Sequence, residues 1–258
     1  MLERLVELKC KVVRYLFLPL QFPRQFFTLW KLAFTQRGLP AELLRLLPQR
    51  RWFAGSGIRT VIDVGANTGP FAFAIRQLLP EAQLYSFEPL PDCHARLVQN
   101  LAPFGRFEAF CTALGDHSGE VTFYRSSFAE SSSMLKMGDL HKQAFPFSAG
   151  SSEVTVPLAR LDDYLTRMEL RGPVLLKIDV QGAEDQVLRG AEQTLAQVDY
   201  VMTEVSYRPL YEGQVLFDGM YRLLSERGFH YAGSLESLLS PEDGSILQSD
   251  ALFVRVKG

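Results

Sequence analysis

Cysteine is scarce in this chain: three in 258 residues, Cys10, Cys93 and Cys111, widely spaced. They form neither a disulfide framework nor a Cys-x-x-Cys zinc knuckle, so free thiols in a reducing compartment are expected. Long apolar runs are missing too. The best, residues 15–20, is six residues and contains Pro19, far short of the ~20 that span a bilayer. Lys9, Lys11 and Arg14 interrupt any secretory core, and no small-residue cleavage site follows. A cytoplasmic protein is expected. Net charge is only −2, which does not suggest a nucleic-acid binder. The Gly-x-Gly-x-x-Gly fingerprint is absent, with Asn67 where its second glycine would stand, and so is a Tyr-x-x-x-Lys pair. Both absences argue against a nicotinamide-dependent oxidoreductase.

What is present is globular. Hydrophobic residues make up 47% and charged residues 22%, enough for a sizeable core without staples. Charge is unevenly placed: residues 1–51 hold ten basic and three acidic residues, net +7, and the rest is net −9. The same segment carries seven aromatics from Tyr15 to Phe34. Apolar spacing predicts helices before Pro19, over 25–36 and over 41–47. Residues 1–57 thus read as a basic, aromatic helical extension. It is a cap, lid or dimer arm on the domain, or a segment lying at an anionic membrane surface.

Residues 58–258 alternate strands and helices, the pattern of a parallel-sheet α/β domain. Strands are expected at 60–64, 83–87, 107–114, 120–124, 154–158, 174–180, 200–206, 229–233 and 251–256. The strands at 107–114 and 120–124 suggest a hairpin-like extension. Helices are expected at 71–79, 92–101, 161–168, 183–196 and 215–227. Residues 126–152 read as a long loop with one short helix, a segment suited to a lid.

Four motifs carry chemistry. Val61-Ile-Asp-Val-Gly-Ala-Asn-Thr-Gly69 is a glycine turn between strand and helix. It lets backbone approach a ligand and offers a helix N-terminus, though a tight turn alone would also use it. Glu88 ends the second strand, where a carboxylate accepts from both ribose hydroxyls. Ala113-Leu114-Gly-Asp116 ends the third, where Asp116 either accepts from an adenine amino group or caps a turn. Lys177 and Asp179 have one parity on a strand and so share a face near its C-terminal end. Buried charge there is either functional or a structural pair.

This series, with Phe87-Glu-Pro and Lys177-Ile-Asp-Val-Gln-Gly-Ala-Glu184, resembles the FkbM-type methyltransferases that use S-adenosylmethionine. The likeness covers roughly residues 58–256. Gln181 departs from it, standing where the family commonly has Glu. The resemblance implies a class I methyltransferase (Rossmann-like) fold: a seven-stranded, mostly parallel sheet with an antiparallel last strand. It implies S-adenosylmethionine as methyl donor, with Asp63, Gly65, Ala66, Asn67, Thr68 and Gly69 at its methionine end. Glu88 would meet the ribose, and Ala113, Leu114 and Asp116 the adenine region. Ser131, Ser132 and Ser133 resemble the family's Ser-rich stretch near the cofactor. Family members commonly methylate hydroxyls of sugars or natural products, some of them carboxylates.

An alcohol acceptor must lose a proton, so a base within hydrogen-bond reach is expected. Asp179, which also borders the cofactor site, is the first candidate, Glu204 the second and loop residue His141 the third, with Lys177 beside them. A divalent metal held by Asp179, Glu184 and Glu204 is conceivable but not favoured. Phe128, Met134, Met137, Phe145 and Phe147 give the long loop an apolar face. Tyr207, Arg208 and Tyr211 follow Glu204, and Arg208 would suit an anionic acceptor. The competing reading is a non-catalytic S-adenosylmethionine-binding interaction module.

Overall fold

The computed structural model describes residues 41–256. The helices expected before residue 41, and the aromatics among them, lie outside the described residues. In chain order the elements are α1 (Ala41–Leu46), α2 (Arg50–Ser56), β1 (Thr60–Val64), α3 (Pro70–Leu78), β2 (Gln83–Phe87), α4 (Pro91–Leu101), β3 (Phe107–Phe110), β4 (Ala113–Leu114), β5 (Gly119–Ser126), α5 (Asp139–Ala144), β6 (Ser151–Ala159), β7 (Val174–Ile178), α6 (Glu184–Arg189), α7 (Glu192–Leu195), β8 (Tyr200–Ser206), α8 (Phe217–Ser225), β9 (Phe229–Leu239) and β10 (Ile246–Arg255).

Seven strands form one sheet in the order β3-β2-β1-β7-β8-β10-β9. The first five are parallel, and β10 runs antiparallel to both its neighbours. The expected strand count and antiparallel last strand are both present. Every residue of β1 and β7 is buried, as befits parallel strands covered on both faces. Alternation sends Val61 and Leu175 into one core layer and Ile62, Val64, Leu176 and Ile178 into the other. Leu43, Leu46 and Phe53 of α1 and α2 join the first layer beside α3. Trp52 adds an edge-on contact with Tyr200.

Several sequence expectations are corrected. The strand expected over 107–114 splits at Cys111-Thr112. Its first half joins the main sheet and β4 leaves for a second sheet, ordered β4-β6-β5. Thr112 Oγ1 donates to Pro157 O across that break. No hairpin forms between the two halves of the predicted extension. Instead β5 pairs along its length with β6, from beyond the long loop. The helix over 183–196 is two short helices, and at Gly190 between them a Cβ would lie 1.9 Å from the Gly115 carbonyl oxygen. The helix over 161–168 reduces to a 3-10 turn, Leu161–Tyr164. The long loop is tied down by single bridges, Tyr124 to Ser133 and Met137 to Tyr211. No helix among the described residues is long and apolar enough to cross a membrane.

Candidate active site

A cavity of about 540 Å³ opens at the C-terminal ends of β1, β2, β7 and β8, where ligands bind in open α/β sheets. Its floor is the β1–α3 turn. Gly65 and Gly69 are left-handed there, φ +78° and +91°, and so is Asn67, φ +49°. Gly65 N and Ala66 N both donate to Phe87 O at 3.0 Å. A Cβ on Gly65 would lie 1.8 Å from Asp179 O, and one on Gly69 2.7 Å from Leu97 Cδ1. Both glycines are therefore demanded by how the turn packs on its neighbours.

At one end of the cavity Glu88 is buried. Its Oε2 accepts from Asn67 N at 2.8 Å and its Oε1 from Leu90 N at 2.9 Å. Burial pushes its carboxyl up to about 7, against the pull of those two N–H groups. Each oxygen keeps acceptor capacity. Leu90, Ala113, Leu114, Phe123 and Met134 make the adjoining wall apolar.

The other end is ionic. Lys177 is buried, with Nζ 3.1 Å from Asp63 Oδ1 and 3.7 Å from Asp179 Oδ2. It donates to Gly65 O at 3.3 Å and lies over the Phe71 ring. Burial opposes its charge, but the two carboxylates outweigh burial and hold the ammonium above its ordinary value. Glu204 Oε2 accepts from Gln181 Nε2 at 3.2 Å and from Gln248 Nε2 at 2.8 Å. Burial, then Asp179, Glu184 and Asp250, push the Glu204 carboxyl well above the usual range. Glu184 instead ties the turn after β7, accepting from Val180 N and Gly182 N; burial raises it to about 7.

A further wall comes from outside the region of family likeness. Glu42 and Arg45 of α1 line the cavity. Arg45 lies 2.8 Å from Glu42 Oε1, 2.8 Å from Asp250 Oδ2 and 3.2 Å from Glu236 Oε2. It thereby joins α1 to the β9–β10 hairpin. Glu130, from the long loop, completes this rim.

Of the predicted site residues, Gly65, Ala66, Asn67, Glu88, Ala113, Leu114, Ser132, Lys177, Asp179 and Glu204 converge on the cavity. Others stand elsewhere. Asp63 sits beneath the lining and neutralises Lys177. Thr68 and Gly69 face α4, where Asn100 Nδ2 donates to Thr68 O. Ser133 Oγ donates to Gln181 O at 2.7 Å and accepts from Leu135 N, pinning the loop to the end of β7. Asp116 is exposed and pairs with His117, because β4 carries it off into the second sheet. His141 is buried against the Phe145 and Tyr211 rings, and burial lowers it. Arg208 is exposed and does not line the cavity. The sequence reading missed Glu42, Arg45 and Glu130. The Glu42–Arg45 spacing of three on a helix is a visible signal of a pair, but nothing local says what it faces.

Among the described residues no group of three or more His, Cys, Asp or Glu is placed to hold a metal ion. Comparison with known proteins adds the family. A model of the methyltransferase FkbM domain matches residues 63–231. The chain is similar to the 2-O-methyltransferase NoeI of Sinorhizobium fredii, 32% identical over 170 residues that span 64% of this chain and 70% of that one. It is similar to Methyltransferase 1 of Beauveria bassiana, 29% identical over 185 residues, 67% of this chain and 72% of that one. It is also similar to the hexuronic acid methyltransferase AglP of Haloferax volcanii, 30% identical over 145 residues, 55% of this chain and 54% of that one. With a match over most of its length and the glycine turn, Glu88 and the ionic strand end in one cavity, the chain belongs to the FkbM family of S-adenosylmethionine-dependent methyltransferases.

Proposed function

We propose that the protein transfers the methyl group of S-adenosylmethionine to a hydroxyl of a neutral sugar, glycan or related natural product. The observation that carries this reading is Glu204, a half-buried carboxyl opening on the cavity beside Asp179. One relative named for 2-O-methylation supports an oxygen acceptor, and one named for hexuronic acid methylation supports a sugar.

The residues fit the donor. The cavity volume lies within the range of small-molecule sites. Glu88 keeps lone pairs for two ribose hydroxyls, and the apolar wall beside it suits a purine. The ionic end offers Asp179 to a ligand with a net positive charge. When bound, the donor supplies an electrophilic methyl on a sulfonium that keeps the electron pair of the broken carbon–sulfur bond. The protein must then align the acceptor oxygen with that methyl, exclude water and receive a proton. Glu204 suits the last task better than Asp179. Its raised carboxyl makes it the stronger base once ionised, whereas Asp179 faces Lys177. Glu42 and Arg45 of α1 line the cavity wall on the side proposed for the acceptor.

The charge of that wall favours a hydroxyl acceptor over a carboxylate. Glu42, Glu130, Asp179 and Glu204 line it, and its two cations are already shared among carboxylates. An anionic acceptor would meet no uncommitted cation there among the described residues.

The test is methyl transfer from labelled S-adenosylmethionine to matched panels of neutral and uronic sugars, with S-adenosylhomocysteine affinity measured alongside. Label is expected on neutral acceptors. Glu204→Gln should lose transfer while keeping the affinity. Equal transfer to uronic acids on carboxylate oxygen, or full transfer by Glu204→Gln, would overturn the reading.

A further inference from the structure

Gln181 stands three residues past the end of β7 with a left-handed backbone, φ +59°, a conformation glycine accepts freely and longer side chains resist. Such a residue persists where its surroundings hold it, and these positions cluster at functional sites. Here both ends of the amide are used. Nε2 donates to Asp179 Oδ1 at 2.8 Å and to Glu204 Oε2 at 3.2 Å. Oε1 accepts from the Tyr211 hydroxyl at 2.7 Å. The amide has one sensible orientation, because turning it over would set its oxygen against two carboxyl groups.

Glu204 is held from the other side as well. Gln248 Nε2 donates to the same oxygen, Oε2, at 2.8 Å, and to Ser206 Oγ at 3.1 Å. Gln214 Nε2 steadies that hydroxyl at 2.8 Å. Oε2 therefore has two N–H donors. Oε1 has none among the described residues, and Glu204 lines the cavity.

We propose that Gln181 is a positioning residue that sorts the two acidic groups. It fills Glu204 Oε2 as an acceptor, so that Oε1 is the atom that takes the acceptor's proton, and it turns Asp179 Oδ1 away from that proton. This rests on the methyl-transfer reading above. In that step the acceptor's O–H bond would break with its proton passing to Oε1, and the freed oxygen pair would form the bond to the methyl carbon as the methyl–sulfur bond breaks and leaves its electron pair on the departing thioether. The groups facing Glu204 are Asp179, Glu184, Asp250, Lys177 and Tyr211. Loss of an N–H donor disfavours the ionised carboxylate, so removing Gln181 should make Glu204 harder to ionise.

The experiment needs no acceptor. Side-chain carboxyl carbons of labelled glutamate are followed by NMR against pH, with the Glu204 signal assigned by its absence in Glu204→Gln. In Gln181→Gly the midpoint should rise by about one pH unit or more, or leave the accessible range upward. S-adenosylhomocysteine affinity should stay within about threefold of the unmodified protein. Glycine suits the left-handed backbone, so this variant is expected to fold. Gln248→Leu removes the second donor from another strand and should move the midpoint the same way. A midpoint unchanged within about 0.3 pH unit in both variants overturns the positioning role. So does a collapse of S-adenosylhomocysteine affinity in Gln181→Gly without a moved midpoint. The two readings fail separately: an unmoved midpoint sinks the clamp, whereas full methylation by Glu204→Gln sinks the base.

Discussion

The carbonyl oxygen of Asp179 lies 1.8 Å from where a Cβ on Gly65 would stand. The turn that floors the cavity and the strand end that carries the candidate charged groups are thus in main-chain contact. Asp179 N also donates to Val64 O at 3.0 Å. Gly65→Ala would meet both this clash and a left-handed backbone. Overpacking costs ~1–3 kcal/mol and the conformation another ~1–2, so a loss of about 3 kcal/mol or more is expected. Thermal denaturation should show a fall of about 10 °C. Gly57→Ala is the control: it is left-handed too, but its Cβ would meet only Pro173 at 3.9 Å. It should cost about 1 kcal/mol. Equal losses in the two variants would remove the contact as the explanation.

Glu88 links pH to ligand binding with two opposite signs. Burial raises its carboxyl from 4.5 to about 7, so folding favours the protonated form. Its contribution to stability, about 3 kcal/mol, is complete below the unfolded value and is lost as pH rises through 7. A ligand that donates two hydroxyls prefers the carboxylate instead. The free protein's Glu88-dependent thermal midpoint should therefore rise from pH 8 to pH 6, while the increment from saturating S-adenosylhomocysteine shrinks. Glu88→Ala should weaken that ligand about 100-fold at pH 8 and flatten both trends. Glu184 shares the first sign but not the second, so a ligand increment independent of pH would argue against Glu88 as the ribose acceptor.

Asp116 supplies the contrast. It was expected near the adenine, yet it is exposed and paired with His117. Asp116→Ala should leave S-adenosylhomocysteine affinity within about twofold. A calorimetric loss of tenfold or more would mean that the second sheet rearranges around the ligand.

These placements show what the sequence could reveal. Gly65, Glu88, Lys177 and Asp179 were legible because each is fixed by one strand end and its parity, both local properties. Asp116 stands off the cavity lining because its position depends on β4 pairing with β6, a partner 45 residues away, and no local pattern encodes that register. His141 looked like a loop base because burial against two rings is a tertiary fact. Gln181 was visible as a departure from family likeness, but the contacts it makes depend on a left-handed backbone that strand parity does not predict. The acidic rim escaped notice because Arg45 meets carboxylates 191 and 205 residues further on.

Arg45 should carry a pH-dependent share of stability. It faces Glu42, Glu236 and Asp250, and burial raises both Glu42 and Asp250 against its attraction. In Arg45→Met these carboxyls lose their cation and their protonated forms gain. The variant should therefore be less stable by about 2 kcal/mol at pH 8, a figure discounted for the part-exposed guanidinium. The deficit should shrink towards pH 5, as the carboxyls take up protons. Chemical denaturation at the two pH values checks this, and a deficit that grows on acidification would contradict the assignment.

The N-terminal segment separates at a different place for folding than for likeness to the family. The family match begins at residue 63, but Leu43, Leu46, Leu47 and Phe53 are buried in the layer that covers α3. At ~1.5–3 kcal/mol each they supply roughly 6–12 kcal/mol, as much as a typical domain's net stability. A chain of residues 41–258 should therefore keep its near-ultraviolet dichroism and bind S-adenosylhomocysteine, and one of residues 58–258 should lose both. Residues 1–40 hold seven of the basic residues against two acidic ones, together with the seven aromatics. If they contact an anionic surface, the full chain should sediment with phosphatidylglycerol vesicles, residues 41–258 should not, and raising ionic strength should release the full chain. Sedimentation of both forms would move the contact to the folded domain. Sedimentation of neither would leave the segment to another task. Deletion at residue 50 could not make this distinction, because it would remove Leu43, Leu46 and Leu47 from the core together with the basic stretch.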